Sequence, residues 1–290
     1  MMMSYEDYKA LAEGYLKHII SVPDDDGAGL AESMKYSLLA GGKRIRPVLA
    51  LAFCEALGGD IYAALPAACA LELIHTYSLI HDDLPCMDDD VLRRGKPTNH
   101  VVYGECTATL AGDALQSLAF ETMLSADLPV ERLVRCIKIL AKAAGYQGMC
   151  RGQFLDMAGE GCALTAEQLT EINNCKTGAL LSAACAIGAA AAGAGDTKIE
   201  AASRFGSLLG LAFQIRDDVL DVISTDTELG KTVGSDAEEM KNTYMSLLGL
   251  DGCTAEIDTL TASAISILEE HFPRTEFLAD LARSLAKRSN

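Results

Sequence analysis

Residues 80–100 read IHDDLPCMDDDVLRRGKPTNH: five aspartates, then two arginines and a lysine within a few positions. Solvated helices intersperse their charges, whereas here acid and base are segregated and apolar sequence flanks both. Asp82, Asp83 and Asp88 close the apolar run LELIHTYSLI, with Asp89 and Asp90 following. A second acidic group, Asp217, Asp218 and Asp221, lies inside GLAFQIRDDVLDV, where Asp217 and Asp221 are one helical turn apart and Gln214 lies on the same side. Two carboxylates about 4 Å apart repel by about 4 kcal/mol at an effective dielectric near 20. In apolar surroundings such groups either take up protons or hold cations. Oxygen donors without histidine or cysteine favour Mg²⁺ over Zn²⁺, and Mg²⁺ on few carboxylates completes its shell with water and phosphate oxygens. The chemistry implied is a metal-bridged phosphate or diphosphate.

Basic groups stand where such a substrate needs them. GGKRIRP supplies Lys43, Arg44 and Arg46; Arg93 and Arg94 follow the first acidic motif. Lys176 and Thr177 stand in NNCKTGALL, and Lys231 and Lys241 follow the second motif. Arginine forks suit phosphate oxygens and lysine provides a mobile point charge. His75, Ser78 and Asp82 fall within about 60° of one another on a helix and form a stripe.

The elements that must carry these groups are helical. Period-2 runs and Asn-Gly turns are missing, while amphipathic or wholly apolar spacings predict helices over 4–21, 27–40, 62–81, 105–126, 129–155, 166–192, 197–224, 237–249, 254–271 and 275–287. Gly41-Gly42 and Gly58-Gly59 are helix stops, and Pro47 can open the helix between them. Pro85 cannot sit in a helix interior, so the chain leaves the helix there and Asp88 folds back towards Asp82 and Asp83. Residues 178–192 and 205–223 are apolar nearly all round and belong in the middle of a bundle. The expectation is one all-α domain over 1–290, a helical bundle around a central cavity.

The formal net charge of −17 argues against nucleic-acid or anionic-membrane partners, so an anionic substrate needs a local basic cluster or metal ions. Ten cysteines without C-x-x-C spacing, and an N-terminus without an apolar signal region, fit a soluble protein of the cytoplasm. The nearest approach to a membrane span, 178–195, is alanine and glycine, residues that let helices pack closely.

Taken together, GGKRIRP, HTYSLIHDDLPCMDDDVLRRGKPTNH, AGDAL, GQFLDM, KTGALL, FQIRDDVLDV and LGKTVGSD resemble, in order and over nearly the whole chain, the trans-isoprenyl diphosphate synthases. The likeness is closest to bacterial short-chain farnesyl and plant-type geranylgeranyl diphosphate synthases. It implies an all-α homodimer using about three Mg²⁺: two on Asp82, Asp83 and Asp88, and one on Asp217 with Asp218 and Asp221 in support. It implies further that Arg93, Lys176, Lys231 and Lys241, with Thr177 and Gln214, grip an allylic diphosphate, and that Lys43, Arg46, His75 and Arg94 bind isopentenyl diphosphate. Gln153 and Asp156 of GQFLD would line or support the cavity, and the basic tail, Lys287 and Arg288, would close over the second diphosphate. Tyr77, five positions before Asp82, resembles the aromatic stop of farnesyl producers, with Ser78 beside it. On a helical wheel Ser78 lies about 40° from Asp82 and Tyr77 about 140°, so Tyr77 reaches the pocket only through bending or a neighbouring helix. A terpene cyclase would not need Lys43, Arg46 and Arg94, and a non-catalytic partner subunit would lack one acidic motif; a geranylgeranyl or geranyl producer is the alternative.

Overall fold

The computed structural model describes residues 2–223 and 243–288. Lys231, Lys241, the LGKTVGSD motif and residues 237–242 of the helix predicted over 237–249 lie outside them. Helix α1 (Tyr5–Leu16) opens on a capping box in which Ser4 and Asp7 satisfy each other's backbone amides. It is followed by α2 (Ala28–Leu38), α3 (Ile45–Ala56) and α4 (Ile61–Asp82), the last capped by the Asp60 carboxylate, which accepts from Tyr62 N at 2.8 Å. Pro47 lies in the first turn of α3 rather than at its start, a place where its missing N–H costs nothing. A two-residue antiparallel hairpin, β1 (Leu92–Arg93) with β2 (Lys96–Pro97), is the only sheet among the described residues.

Next come α5 (Asn99–Tyr103), α6 (Glu105–Leu124), α7 (Val130–Ala144), α8 (Met149–Gly159) and α9 (Ala166–Asn173). A π-helical turn, Asn174–Gly178, joins α9 to α10 (Ala179–Ala191), and α11 (Asp196–Ile223), α12 (Tyr244–His271) and α13 (Glu276–Lys287) complete the bundle. Two predicted helices are therefore broken. The stretch 129–155 divides at Gly145–Gly148, where Gly148 passes so close to Ala143 that a Cβ would stand 2.1 Å from its carbonyl oxygen. The stretch 166–192 is interrupted by the π turn.

Helix α10 sits centrally, packed on α3, α7 and α11, while α4 runs along α3 and α6. Its small residues permit this: a Cβ on Gly188 would meet Ala50 O at 2.1 Å. Phe53 anchors the core, edge-to-face with Phe205 and Phe272 at centroid separations of 5.4 and 5.3 Å. Helix α4, not 178–195, is long and apolar enough to cross a membrane; 72% of its apolar window is buried inside the protein, as in a core helix.

Candidate active site

The first acidic motif forms where α4 ends. The helix stops at Asp82, Pro85 follows, and the Asp88 amide donates to Asp82 O at 2.9 Å, so the chain folds back on the helix end. Asp89 adopts a left-handed φ of 53° at this turn. Asp82 and Asp88 face a polar cavity of about 710 Å³. The second motif faces it from α11, with Asp217, Asp218 and Asp221 all in the lining. Lys43, Arg46, His75, Arg93, Arg94, Lys176, Thr177 and Gln214 share that wall. Thirteen of the sixteen residues predicted for metal and diphosphate thus meet in one space, though they come from positions 43 to 221 of the chain.

Asp83 departs from this group. It is absent from the cavity lining, buried at 3% exposure, and bound by Arg93, whose Nε donates to its Oδ1 at 2.6 Å. Successive residues at a helix end point in different directions, so Asp83 orients Arg93 rather than joining Asp82. Asp218 is likewise committed: Gln214 Nε2 donates to its Oδ1 at 3.1 Å and Tyr244 N to its Oδ2 at 2.7 Å, so it caps α12. Gln214 in turn accepts from Thr177 Oγ1 at 3.1 Å. Lys176 reaches the cavity from the π turn and donates to Asp156 at 2.6 Å. Gly152 makes room for that turn, since a Cβ there would stand 2.1 Å from Lys176 N.

The charges explain what the cavity can hold. Burial, reinforced by Asp88 and Asp83 against the pull of Lys176 and Arg93, pushes the Asp82 carboxyl up to about 6. Burial works against the Lys176 ammonium, but Asp156, Asp82 and Asp88 keep it charged, with a raised pKa. On the opposite side, burial and then Arg46, Arg94, Arg93 and Arg44 hold His75 well below its ordinary value, so it meets a ligand as a neutral imidazole. Burial also lowers Arg46 to about 10. The cavity is divided into an acidic side and a basic side, as the segregated charges near position 90 foreshadow.

The acidic side fits magnesium. Its donors are all carboxylate oxygens, Asp82 lacks enough positive charge to ionise normally, and Lys176 is already shared with Asp156. Among the described residues no three acidic, histidine or cysteine side chains converge on one point, so an ion held here would need further ligands from water and phosphate oxygens.

A second, largely apolar cavity of about 440 Å³ opens from the first and shares Arg46, His75, Leu79, Asp82, Lys176 and Thr177 with it. Tyr77 and Ser78 line it from α4; Met149, Cys150, Gln153, Phe154 and Met157 line it from α8. Tyr77 stacks edge-on against His81 at 5.7 Å, and its hydroxyl lies 3.4 Å from Cys150 Sγ. The cavity spans the arc between Tyr77 and Asp82, because α8 supplies the wall that a single helical wheel cannot show. The Gln153 amide is buried there with no hydrogen-bond partner among the described residues.

At the C-terminus Arg288 lines the polar cavity, binds Asp217, and stacks its guanidinium 3.7 Å above the Phe213 ring; Lys287 is exposed on α13. The tail therefore meets the second acidic motif. Sequence reasoning placed Gln153 and Asp156 of α8 at the cavity but passed over Met149, Cys150, Phe154 and Met157 beside them, the Arg288–Asp217 contact and Glu72, for which only an acid within an apolar helix gave notice.

Residues 28–273 match the model of the polyprenyl synthetase family. The chain is 45% identical, over 98% of its length and 82% of the relative's, to a chloroplastic geranylgeranyl pyrophosphate synthase of Catharanthus roseus. It is 51% identical to a farnesyl diphosphate synthase of Geobacillus stearothermophilus, over 79% of this chain and 78% of that one. A geranyltransferase from Helicobacter pylori, solved in complex with magnesium and isoprenyl diphosphate, superposes with a TM-score of 0.87 at 36% identity, covering 98% of this chain and 97% of that one.

Proposed function

The chain belongs to the polyprenyl synthetase family and is a prenyltransferase, and on that premise we propose that it joins isopentenyl diphosphate head to tail to dimethylallyl and geranyl diphosphates, releasing farnesyl diphosphate. The observation that carries the reading is the pair of joined cavities: one polar and split by charge sign, the other apolar and lined by Tyr77.

Lys176 and Arg93 hold the allylic diphosphate beside Asp82, Asp88 and Asp217. Magnesium on these carboxylates would supply Lewis-acid stabilisation of the charge that develops on the departing diphosphate. As the allylic C–O bond breaks, Lys176 and Arg93 stabilise the same charge from fixed positions. Thr177 and Gln214, hydrogen-bonded to each other at 3.1 Å, present oxygen atoms to the allylic carbon as it becomes cationic. Lys43, Arg46, Arg94 and neutral His75 hold isopentenyl diphosphate so that its double bond forms the new C–C bond. The proton lost from that substrate passes to the released diphosphate, the nearest base. The apolar cavity keeps water from the cation, and Tyr77 ends the space for the growing chain.

A twenty-carbon product is the second reading. It is favoured by the identity to the Catharanthus roseus enzyme and by Met149 and Met157 in the α8 wall, flexible side chains that reshape to accommodate a longer chain. Turnover of purified protein with isopentenyl and dimethylallyl diphosphates, with and without Mg²⁺ and with products sized by mass spectrometry, tests both. Farnesyl diphosphate made only with metal supports the proposal; a twenty-carbon product keeps the mechanism and moves the stop away from Tyr77. No condensation with any allylic primer refutes it.

A further inference from the structure

The loop 41–44 and the first turn of α3 carry Lys43 and Arg46, and they are held by a residue that neither role accounts for. Arg44 adopts a left-handed φ of 53°, which L side chains rarely occupy without compensation. Its guanidinium is almost wholly buried. Nη1 donates to Glu72 Oε1 at 2.6 Å, Nη2 donates to Leu38 O at 2.7 Å, and Nε lies 3.7 Å from Glu13 Oε1. One side chain thereby ties α1, the end of α2 and α4 together between Lys43 and Arg46. Glu72 is as deeply buried, 2% exposed, and sits one turn before His75 on α4. Its carboxylate also attracts Arg46 and Arg94, while Arg94 repels Arg46. Arg94 closes the same loop by donating to Gly41 O and packing where a Gly42 side chain would be.

Gathering cations before an anion arrives is unfavourable unless a fixed negative charge lies among them. We infer that the buried Arg44–Glu72 pair is the positioning device of the basic side, fixing the 41–44 loop and the start of α3 on α4 so that Lys43, Arg46 and Arg94 are assembled to receive isopentenyl diphosphate. The inference rests on the proposed assignment of those three cations. Two effects compete when Glu72 is neutralised. Removing a carboxylate makes the cradle more positive, which by itself tightens anion binding. Freeing the loop misplaces guanidinium forks whose bonds require alignment within about 0.5 Å. Glu72 bonds Arg44 directly and reaches Arg46 only through space, so loss of alignment outweighs the gain in charge.

The test is steady-state kinetics with both substrates varied, on Glu72→Gln and on the double variant Arg44→Met/Glu72→Met. Replacing both members of a buried ion pair with apolar side chains spares the fold an unpaired charge. Each variant is expected to raise the KM for isopentenyl diphosphate about tenfold or more, a loss of about 1.4 kcal/mol, while the KM for geranyl diphosphate stays within about twofold. An isopentenyl diphosphate KM that is unchanged or lowered in the folded double variant overturns the inference, as does a parallel rise in both KM values. Arg46→Ala is measured alongside. A raised isopentenyl diphosphate KM there, with none in the pair variants, refutes the pair alone; no change there overturns the cradle assignment and the pair's role with it.

Discussion

Asp82→Asn should make the metal-free protein more stable while removing its activity. The carboxyl sits at about 6 in the folded protein against an ordinary 3.8, burial being the largest cause. That displacement of about 2 pH units corresponds to about 3 kcal/mol at about 1.4 kcal/mol per unit. Asp82 retains part of its exposure, and solvent screening reduces the figure to roughly 1–2 kcal/mol. Because the folded value lies above the unfolded one, the folded state gains from holding the proton: the benefit is complete below about pH 4 and lost as pH rises through about 6. At pH 7.5 the wild-type protein therefore bears the full cost of an ionised, buried Asp82, and Asp82→Asn relieves it. Thermal unfolding in EDTA should show a Tm higher by roughly 2–4 °C for a chain of this size, falling to about half that at pH 5. With Mg²⁺ and a diphosphate ligand the order should reverse, and kcat should fall by on the order of 100-fold or more. A variant less stable than wild type in EDTA, or a Tm difference that does not change with pH, would refute the electrostatic account of the acidic side.

Three further expectations follow from the same geometry. Tyr77→Ala should lengthen the product, read by mass spectrometry with geranyl diphosphate as primer, and an unchanged product distribution would count against Tyr77 as the end of the apolar cavity. Gly152→Ala places a Cβ 2.1 Å from Lys176 N; it should destabilise the protein by about 2–3 kcal/mol and reduce kcat by moving Lys176, and a wild-type melting curve with wild-type kcat would show that the π turn tolerates displacement. Truncation after Ala286 removes the Arg288 contact with Asp217 and Phe213 and also a cation close enough to Lys43 to lower its pKa, second to burial; it should raise the KM for isopentenyl diphosphate, and an unchanged KM would confine the tail to the acidic side.

Legibility differed from residue to residue for physical reasons. Asp82 and Asp88 could be brought together from sequence because their geometry is local: a helix end, a proline and a short return. Helices α4, α6 and α11 were visible as apolar stretches too long for strands. The division at Gly145–Gly148 had a local signal in GYQG, which the apolar periodicity on either side masked. The π turn at Asn174–Gly178 had none, since one extra residue per turn leaves the composition unchanged, yet this turn carries Lys176 and Thr177 into the cavity.

By itself the sequence determined an all-helical chain, two acidic motifs in apolar settings, and a complement of cations suited to diphosphates, because each of these is written in residue type and short spacing. Tertiary structure alone decided which neighbours share a site. It turned Asp83 towards Arg93 and Asp218 towards the start of α12, while Asp82 and Asp217 stayed with the cavity. It set Cys150 against Tyr77, 73 positions away, and so made a wall for a residue that its own helix places about 140° from Asp82. It buried Arg44 against Glu72 as well. Such pairings depend on how helices distant in sequence approach one another, and that is settled by close contacts such as Gly188 on Ala50 rather than by any local pattern.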